Sequence, residues 1–257
     1  MKRLFLLLLL STGASFAQSP FDGTWIIQSD PSQLPQKPVE YVLANGMFRC
    51  SGCIANVEIK SDGRDYKIEE TSYWDTASAR IVDSHSVEVT VKKSGKTMFT
   101  EIDTVSADGN TLTQSLKDTT EAQTVTAEIL FRRVNKGSAS DHPISGSWRA
   151  YKMNRSKNGS VIRYTCTADG FSAETPLGEK FDAKFDGKDY PIEDDPGHSV
   201  VSVKRVSPNE IEITTRRNEK VVGVLHLTAS FDGNSIRVVY ESKESDTTKS
   251  YEMLRQH

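Results

Sequence analysis

The sequence predicts an all-β protein made of two tandem antiparallel meander β-barrels of about eight or nine strands each. Three observations carry that expectation: an ordered internal repeat, a two-residue alternation of apolar and polar side chains, and short connections rich in Asp-Gly.

The repeat comes first because it sets the organisation. Phe21-Asp22-Gly23-Thr24-Trp25 recurs as Ile144-Ser145-Gly146-Ser147-Trp148, and the segment Asp62 to Glu69 recurs as Asp186 to Glu193. Asp108-Gly109-Asn110 recurs as Asp232-Gly233-Asn234, and Glu128-Ile129-Leu130 aligns with Glu252-Met253-Leu254. The offset is 123 for the first pair and 124 for the other three, so a single gap aligns all four landmarks in order. The expected domains are 18–134 and 144–257, joined by a linker at 135–143 of Lys, Gly, Ser, Ala, Asp, His and Pro without apolar periodicity.

Within each copy the period is two. Val87, Val89 and Val91 alternate with Glu88, Thr90 and Lys92, and their counterparts Ile211, Ile213 and Thr215 alternate with Glu212, Thr214 and Arg216. Such runs read as antiparallel strands with one dry face and one wet face. The runs at 97–105, 111–116, 123–132, 221–229, 235–240 and 249–254 are rich in Thr, Val and Ile and read similarly. Asp-Gly at 62–63, 108–109, 186–187 and 232–233, with Ser94-Gly95, supplies the positive φ of tight hairpin turns. A meander of this length avoids exposed edges by closing on itself.

The amino-terminal residues read as an export signal at 1–17. Lys2 and Arg3 precede the apolar run Leu4 to Leu10, and Ser15-Phe16-Ala17 offers small residues for cleavage before Gln18. That apolar run is far shorter than the roughly 20 residues of a membrane-spanning helix. The mature chain is expected to be secreted or periplasmic, with no membrane insertion after cleavage. Without Lys2 and Arg3 it carries 30 basic against 35 acidic residues, a net charge of −5. Mild acidity with interspersed signs excludes the basic patch that a nucleic-acid partner requires.

The landmarks resemble a known family. Gly-x-Trp opening the first strand of a small barrel, here Gly23-Thr24-Trp25 and Gly146-Ser147-Trp148, looks like the lipocalin and calycin signature. Together with Asp186 to Pro191, Val201 to Arg205 and Asn209-Glu210-Ile211-Glu212, it resembles uncharacterised secreted lipocalin-like proteins of Acidobacteria and their relatives. The resemblance covers the mature chain and implies two lipocalin-like barrels, export, and small, mostly apolar ligands. It also implies structural roles for Gly23, Trp25, Gly146 and Trp148, with an Arg packed on each Trp. Arg132 or Arg133 and Arg255 are the candidates, at positions the 124-residue offset does not superimpose.

Chemistry-bearing residues are few, and no catalytic set is assigned. Cys50-Ser51-Gly52-Cys53 admits a structural disulfide, a redox dithiol or free thiols. The disulfide is the expectation, and it needs a turn at Gly52, because residues i and i+3 of a strand lie about 10 Å apart. Neither haem attachment nor zinc has the required spacing, and no cofactor or metal is expected. Cys166 reads as a small buried thiol whose repeat counterpart is about Val42. His226 reads as a surface or satisfied core residue, with a haem-ligating position inside the barrel as the sharper alternative. Glu101 and Asp103 share a strand face with Leu225 and Leu227 as counterparts, so a catalytic role common to both copies is excluded. An exposed face is the expectation for them. Trp74, matched by His198, is expected at a barrel rim and is the candidate ligand contact. The leading function is a binding protein for small apolar ligands or a protein partner. The alternatives are an extracytoplasmic thiol-disulfide or other enzyme using Cys50 and Cys53, and a structural envelope protein with filled barrels.

Overall fold

Val87, Val89 and Val91 are buried, as are Ile211 and Ile213 in the second copy, so each repeat has the one dry sheet face that a period of two demands. In the computed structural model, residues 19–28, 34, 37–53, 56–69, 71, 73–119, 124–244 and 246–257 are described; the segment 1–17, expected to be an export signal, lies outside them. The first repeat supplies β1 (Gly23–Ile27), β2–β4 (Val39–Ala44, Met47–Ser51, Val57–Lys60) and the short β5 (Tyr66–Lys67). It continues with β6–β10 (Thr76–Ile81, Ser86–Lys93, Lys96–Val105, Thr111–Asp118, Val125–Lys136). The second supplies β11 (Gly146–Arg155), β12–β14 (Val161–Cys166, Gly170–Glu174, Lys180–Lys184) and β15 (Tyr190–Pro191). It ends with β16–β20 (Val200–Ser207, Glu210–Arg217, Lys220–Ala229, Ser235–Ser242, Thr247–Arg255). One three-residue 3-10 turn, Asn158–Ser160, separates β11 from β12.

The chain is all-β and forms two nearly closed antiparallel barrels of ten strands each. Ten strands replace the expected eight or nine because each copy adds a two-residue strand, β5 or β15, beside its seam. At the first seam Gly63 N–H donates to Ala79 O at 2.8 Å. At the second, Lys180 and Glu193 exchange backbone bonds of 3.2 and 2.8 Å.

The barrels do not follow the repeat boundaries. In one sheet β11 lies between β2 and β10, so the first barrel is the contiguous run β2–β11. In the other, β1 lies between β12 and β20, across the whole length of the chain. Each Gly-x-Trp strand therefore completes the barrel of the other copy, and the expected units 18–134 and 144–257 are corrected to 39–155 and to 19–28 with 156–257. The reason is loop closure. The linker is so short that β11 folds back on β10 as a hairpin, with Lys136 opposite Gly146 and Gly137 N–H donating to Ser145 O at 3.0 Å. A short local closure costs less chain entropy than sending β11 across to β12 and β20. That leaves the second barrel one strand short, and β1 has the matching register.

The two Trp residues lie fully buried in their exchanged positions. Trp148 Nε1 donates to Ile144 O and Trp25 Nε1 to Phe21 O, both at 2.8 Å. Arg133 stacks on Trp148 at 3.8 Å and Arg255 on Trp25 at 4.4 Å. The two arginines are equivalent after all, because Arg133 pairs with Trp148 as Arg255 pairs with Trp25. The last strands are thus offset by 122, and the alignment of Glu128-Ile129-Leu130 with Glu252-Met253-Leu254 is corrected: Phe131 matches Met253. Gly23 and Gly146 both sit at φ 128°; a side chain at Gly23 would strike the stacked Arg255 guanidinium, and one at Gly146 would strike the Asn135 carbonyl and crowd Arg133. That explains Gly two residues before Trp.

Candidate functional site

The Trp–Arg stack occupies one end of the first barrel, and the strand register leads from there to the other end. Between β8 and β9, Val105 lies opposite Leu112, Asp103 opposite Gln114, Glu101 opposite Leu116, and Phe99 opposite Asp118. Leu112 is level with Phe131, two residues from Arg133, so the first of these rungs is the Trp148 end. The last rung is the mouth.

At that mouth a cleft of about 230 Å³ separates the two barrels. Tyr73, Trp74, Met98, Phe99 and Leu116 of the first barrel form one wall, and Leu177 and Pro196 of the second form the other. The charged side chains on its lining are Asp118, Glu179 and Asp194, all acidic. Leu116, Asp118, Leu177 and Glu179 also line a second space of about 550 Å³, which runs to Ile27, Leu225, Tyr240 and Tyr251 at the mouth of the second barrel. The two mouths therefore open onto neighbouring spaces. Trp74 is half-buried in this wall, at the rim position expected for it, while its counterpart His198 is exposed at φ 51°.

Tyr73 fixes the barrels against each other. Arg217 of β17 donates to its hydroxyl at 2.5 Å and lies 4.8 Å from its ring centroid. Arg217 is held in turn by Ser199 Oγ at 3.2 Å and Glu244 at 3.2 Å. Burial pushes the Tyr73 phenol up to about 12, so the hydroxyl remains protonated at neutral pH.

Behind the cleft stands the feature that sequence reasoning misplaced. Glu101 and Asp103 do not lie on an exposed face: they are 6% and 0% exposed, inside the first barrel. They share parity with the buried Phe99 and Val105, and it is Ile102 that faces outward at 38% exposure. Gln114 Nε2 donates to Asp103 Oδ1 at 3.2 Å and to Tyr41 Oη at 3.3 Å. Asp103 Oδ2 has no hydrogen-bond partner. Burial raises Glu101 well above the usual carboxyl range, with the Asp103 charge adding to it. Asp103 is raised by burial to about 7, against the opposing effect of the Gln114 and Tyr41 hydrogen bonds. Parity with Phe99 and Val105 was the signal that could have placed this pair.

Cys50 and Cys53 lie at disulfide distance, with Cα atoms 6.0 Å apart and Gly52 between them at φ 78°. Cys50 is 3% exposed against the first core, and the next element among the described residues is the strand β4. Cys166 is buried as expected and accepts from Arg205 Nη2 at 3.0 Å, but the register matches it to Leu43 and not to Val42. His226 is on the outer face, 3.8 Å from both Glu212 and Glu241, and not inside the barrel. No group of three or more metal-ligating side chains occurs among the described residues. No family model, curated protein or solved structure matches the chain.

Proposed function

We propose that this is an exported binding protein that takes a small, mostly apolar ligand into the cleft between its barrels. The observation that carries the reading is the cleft itself: a concave space of about 230 Å³ walled by Trp74, Met98, Phe99, Leu116 and Leu177, with only a few polar groups converging on it. That is the usual make-up of a small-molecule site. The leader-like residues 1–17 support export. The Arg stacked on each Gly-x-Trp ring supports a lipocalin-like ancestry for the barrels. A thiol-disulfide enzyme is a poorer reading, because Cys50 is buried on a strand and not presented at a helix terminus.

The test uses 2-phenylethanol, a neutral molecule small enough for the cleft, with calorimetry and tryptophan emission as readouts. Trp25 and Trp148 are sealed under guanidinium groups, so Trp74 is the residue expected to report. Saturable binding of one equivalent is expected, weakened about ten-fold (about 1.4 kcal/mol) by Leu177→Trp, which fills the cleft from the second barrel's side. Binding unchanged in both Leu177→Trp and Trp74→Ala would place the ligand elsewhere.

A further inference from the structure

We infer that the cleft and the acid pair behind it form one site, and that its ligand is a small amphipathic amine whose ammonium group reaches Glu101 and Asp103. The inference rests on the cleft being the binding site and adds the class of ligand. The register places the two features next to each other. Phe99 and Leu116 line the cleft, Glu101 is the next inward residue after Phe99 and lies opposite Leu116, and Asp103 follows one rung deeper.

Three observations converge on a cation. First, the acids are not needed to build a barrel of this shape, since the corresponding positions in the second barrel are Leu225 and Leu227, with Val238 in the place of Gln114. Burying carboxyl groups opposes folding unless something compensates them. Second, Asp103 Oδ2 is fully buried and makes no hydrogen bond among the described residues, while Gln114 donates to Oδ1 and the Tyr41 hydroxyl also acts on the carboxyl group. An ammonium group brings three donors on a compact charge. Third, the charged residues lining the cleft, among those described, are Asp118, Glu179 and Asp194, while Arg217 beside it is engaged by Tyr73, Ser199 and Glu244. An anionic ligand meets repulsion along that route, whereas an amine is drawn inward. A bare divalent metal ion fits poorly, because two carboxylates with an amide and a phenol fall short of a ligand set.

The exchange is balanced by proton release. The groups facing the site are Glu101 and Asp103 from β8, Gln114 from β9 and Tyr41 from β2. Burial raises both carboxyl groups, Asp103 to about 7, so Asp103 is only partly ionised near neutral pH. When the ammonium docks, the carboxyl O–H bond breaks, the proton leaves to solvent, and the carboxylate is held by N–H donors. Amine binding therefore tightens as pH rises through neutrality.

Three probes of similar shape decide the matter by calorimetry on the full mature chain: 2-phenylethylamine, neutral 2-phenylethanol and anionic 3-phenylpropionate. Near pH 8 the amine should bind at least about ten-fold (about 1.4 kcal/mol) more tightly than the alcohol. That advantage should shrink near pH 6, and the binding enthalpy should differ between phosphate and Tris buffers as a released proton is taken up. Glu101→Gln with Asp103→Asn should erase the advantage of the amine over the alcohol. Should that variant fail to melt cooperatively, Glu101→Leu with Asp103→Leu, which copies the second barrel, takes its place. An amine preference that survives loss of the pair would overturn the inference. If amine and alcohol bind equally, the inference falls and the cleft stands; if none of the three binds, both fall.

Discussion

The two lumens run in parallel from the Trp–Arg end and then diverge. Where the first barrel has Asp103 opposite Gln114 and Glu101 opposite Leu116, the second has Leu227 opposite Val238 and Leu225 opposite Tyr240. At the mouth the bulk changes sides. Phe99 is matched by Gly223 and Leu116 by Tyr240, and a Cβ on Gly223 would lie 2.6 Å from the Tyr240 ring. Volume and strand parity are thus what the barrel requires, and polarity at these rungs is a free choice. A free choice that buries two carboxyl groups carries a cost the twin barrel avoids, which is why the difference points to a site.

The exchanged strands give the largest predicted effect on that comparison. A fragment of residues 39–155 contains β2–β11 and should unfold cooperatively with a β-rich circular dichroism spectrum. A fragment of residues 18–134 lacks β11, leaves β2 and β10 as unpaired edges and lacks Trp148, so no cooperative transition is expected. The reverse outcome would return the strands to their own repeats.

A smaller effect crosses the repeats in the same way. Trp25→Ala should destabilise the second barrel by about 3–5 kcal/mol, and Trp148→Ala the first by a similar amount. Hydrogen exchange resolved by segment reads this directly: Trp25→Ala should lower protection over 161–255 and spare 39–136. Loss of protection confined to 39–136 would contradict the observed pairing.

The smallest effect is the pH dependence. Asp103 at about 7 and the raised Glu101 lie above the roughly 4 of carboxyl groups in an unfolded chain. The folded first barrel then holds protons that the unfolded chain has released. For Asp103 this contribution is complete below about pH 4 and is lost as pH rises to about 7, and the raised Glu101 acts in the same direction. The second barrel has leucines at these positions and lacks the effect. The lowered aspartates of the Asp-Gly turns, Asp62 and Asp108, have lowered counterparts in Asp186 and Asp232, so they cancel between the barrels. Segment-resolved exchange at pH 4.5 and pH 8 should show the first barrel weakening against the second, and Glu101→Leu with Asp103→Leu should remove the difference. A slope that persists in that variant would assign it to other groups.

Much of the fold was legible because it rests on local rules. The Asp-Gly turns, the alternation of Val87 to Val91, and the turn at Gly52 that brings Cys50 to Cys53 each follow from neighbours in the chain. The candidate site was less legible. Trp74 at the rim was readable from its position after the Asp-Tyr turn, but the opposite wall comes from Leu177, Glu179 and Pro196 of the other barrel. On β8, charge was weighed above parity. Phe99 and Val105 share parity with Glu101 and Asp103, while Ile102 lies on the opposite face, so the apolar residues alone did not mark which face was dry.

The sequence by itself determined two equivalent meander patterns, their turns, and a Gly-x-Trp strand in each. Only the tertiary structure decided which barrel each Gly-x-Trp strand enters. The two strands carry the same pairing pattern and the same buried Trp, so either is accepted by either barrel, and nothing local distinguishes them. The choice falls to chain entropy: the short linker closes β11 onto β10, and β1 takes the place left open in the second barrel.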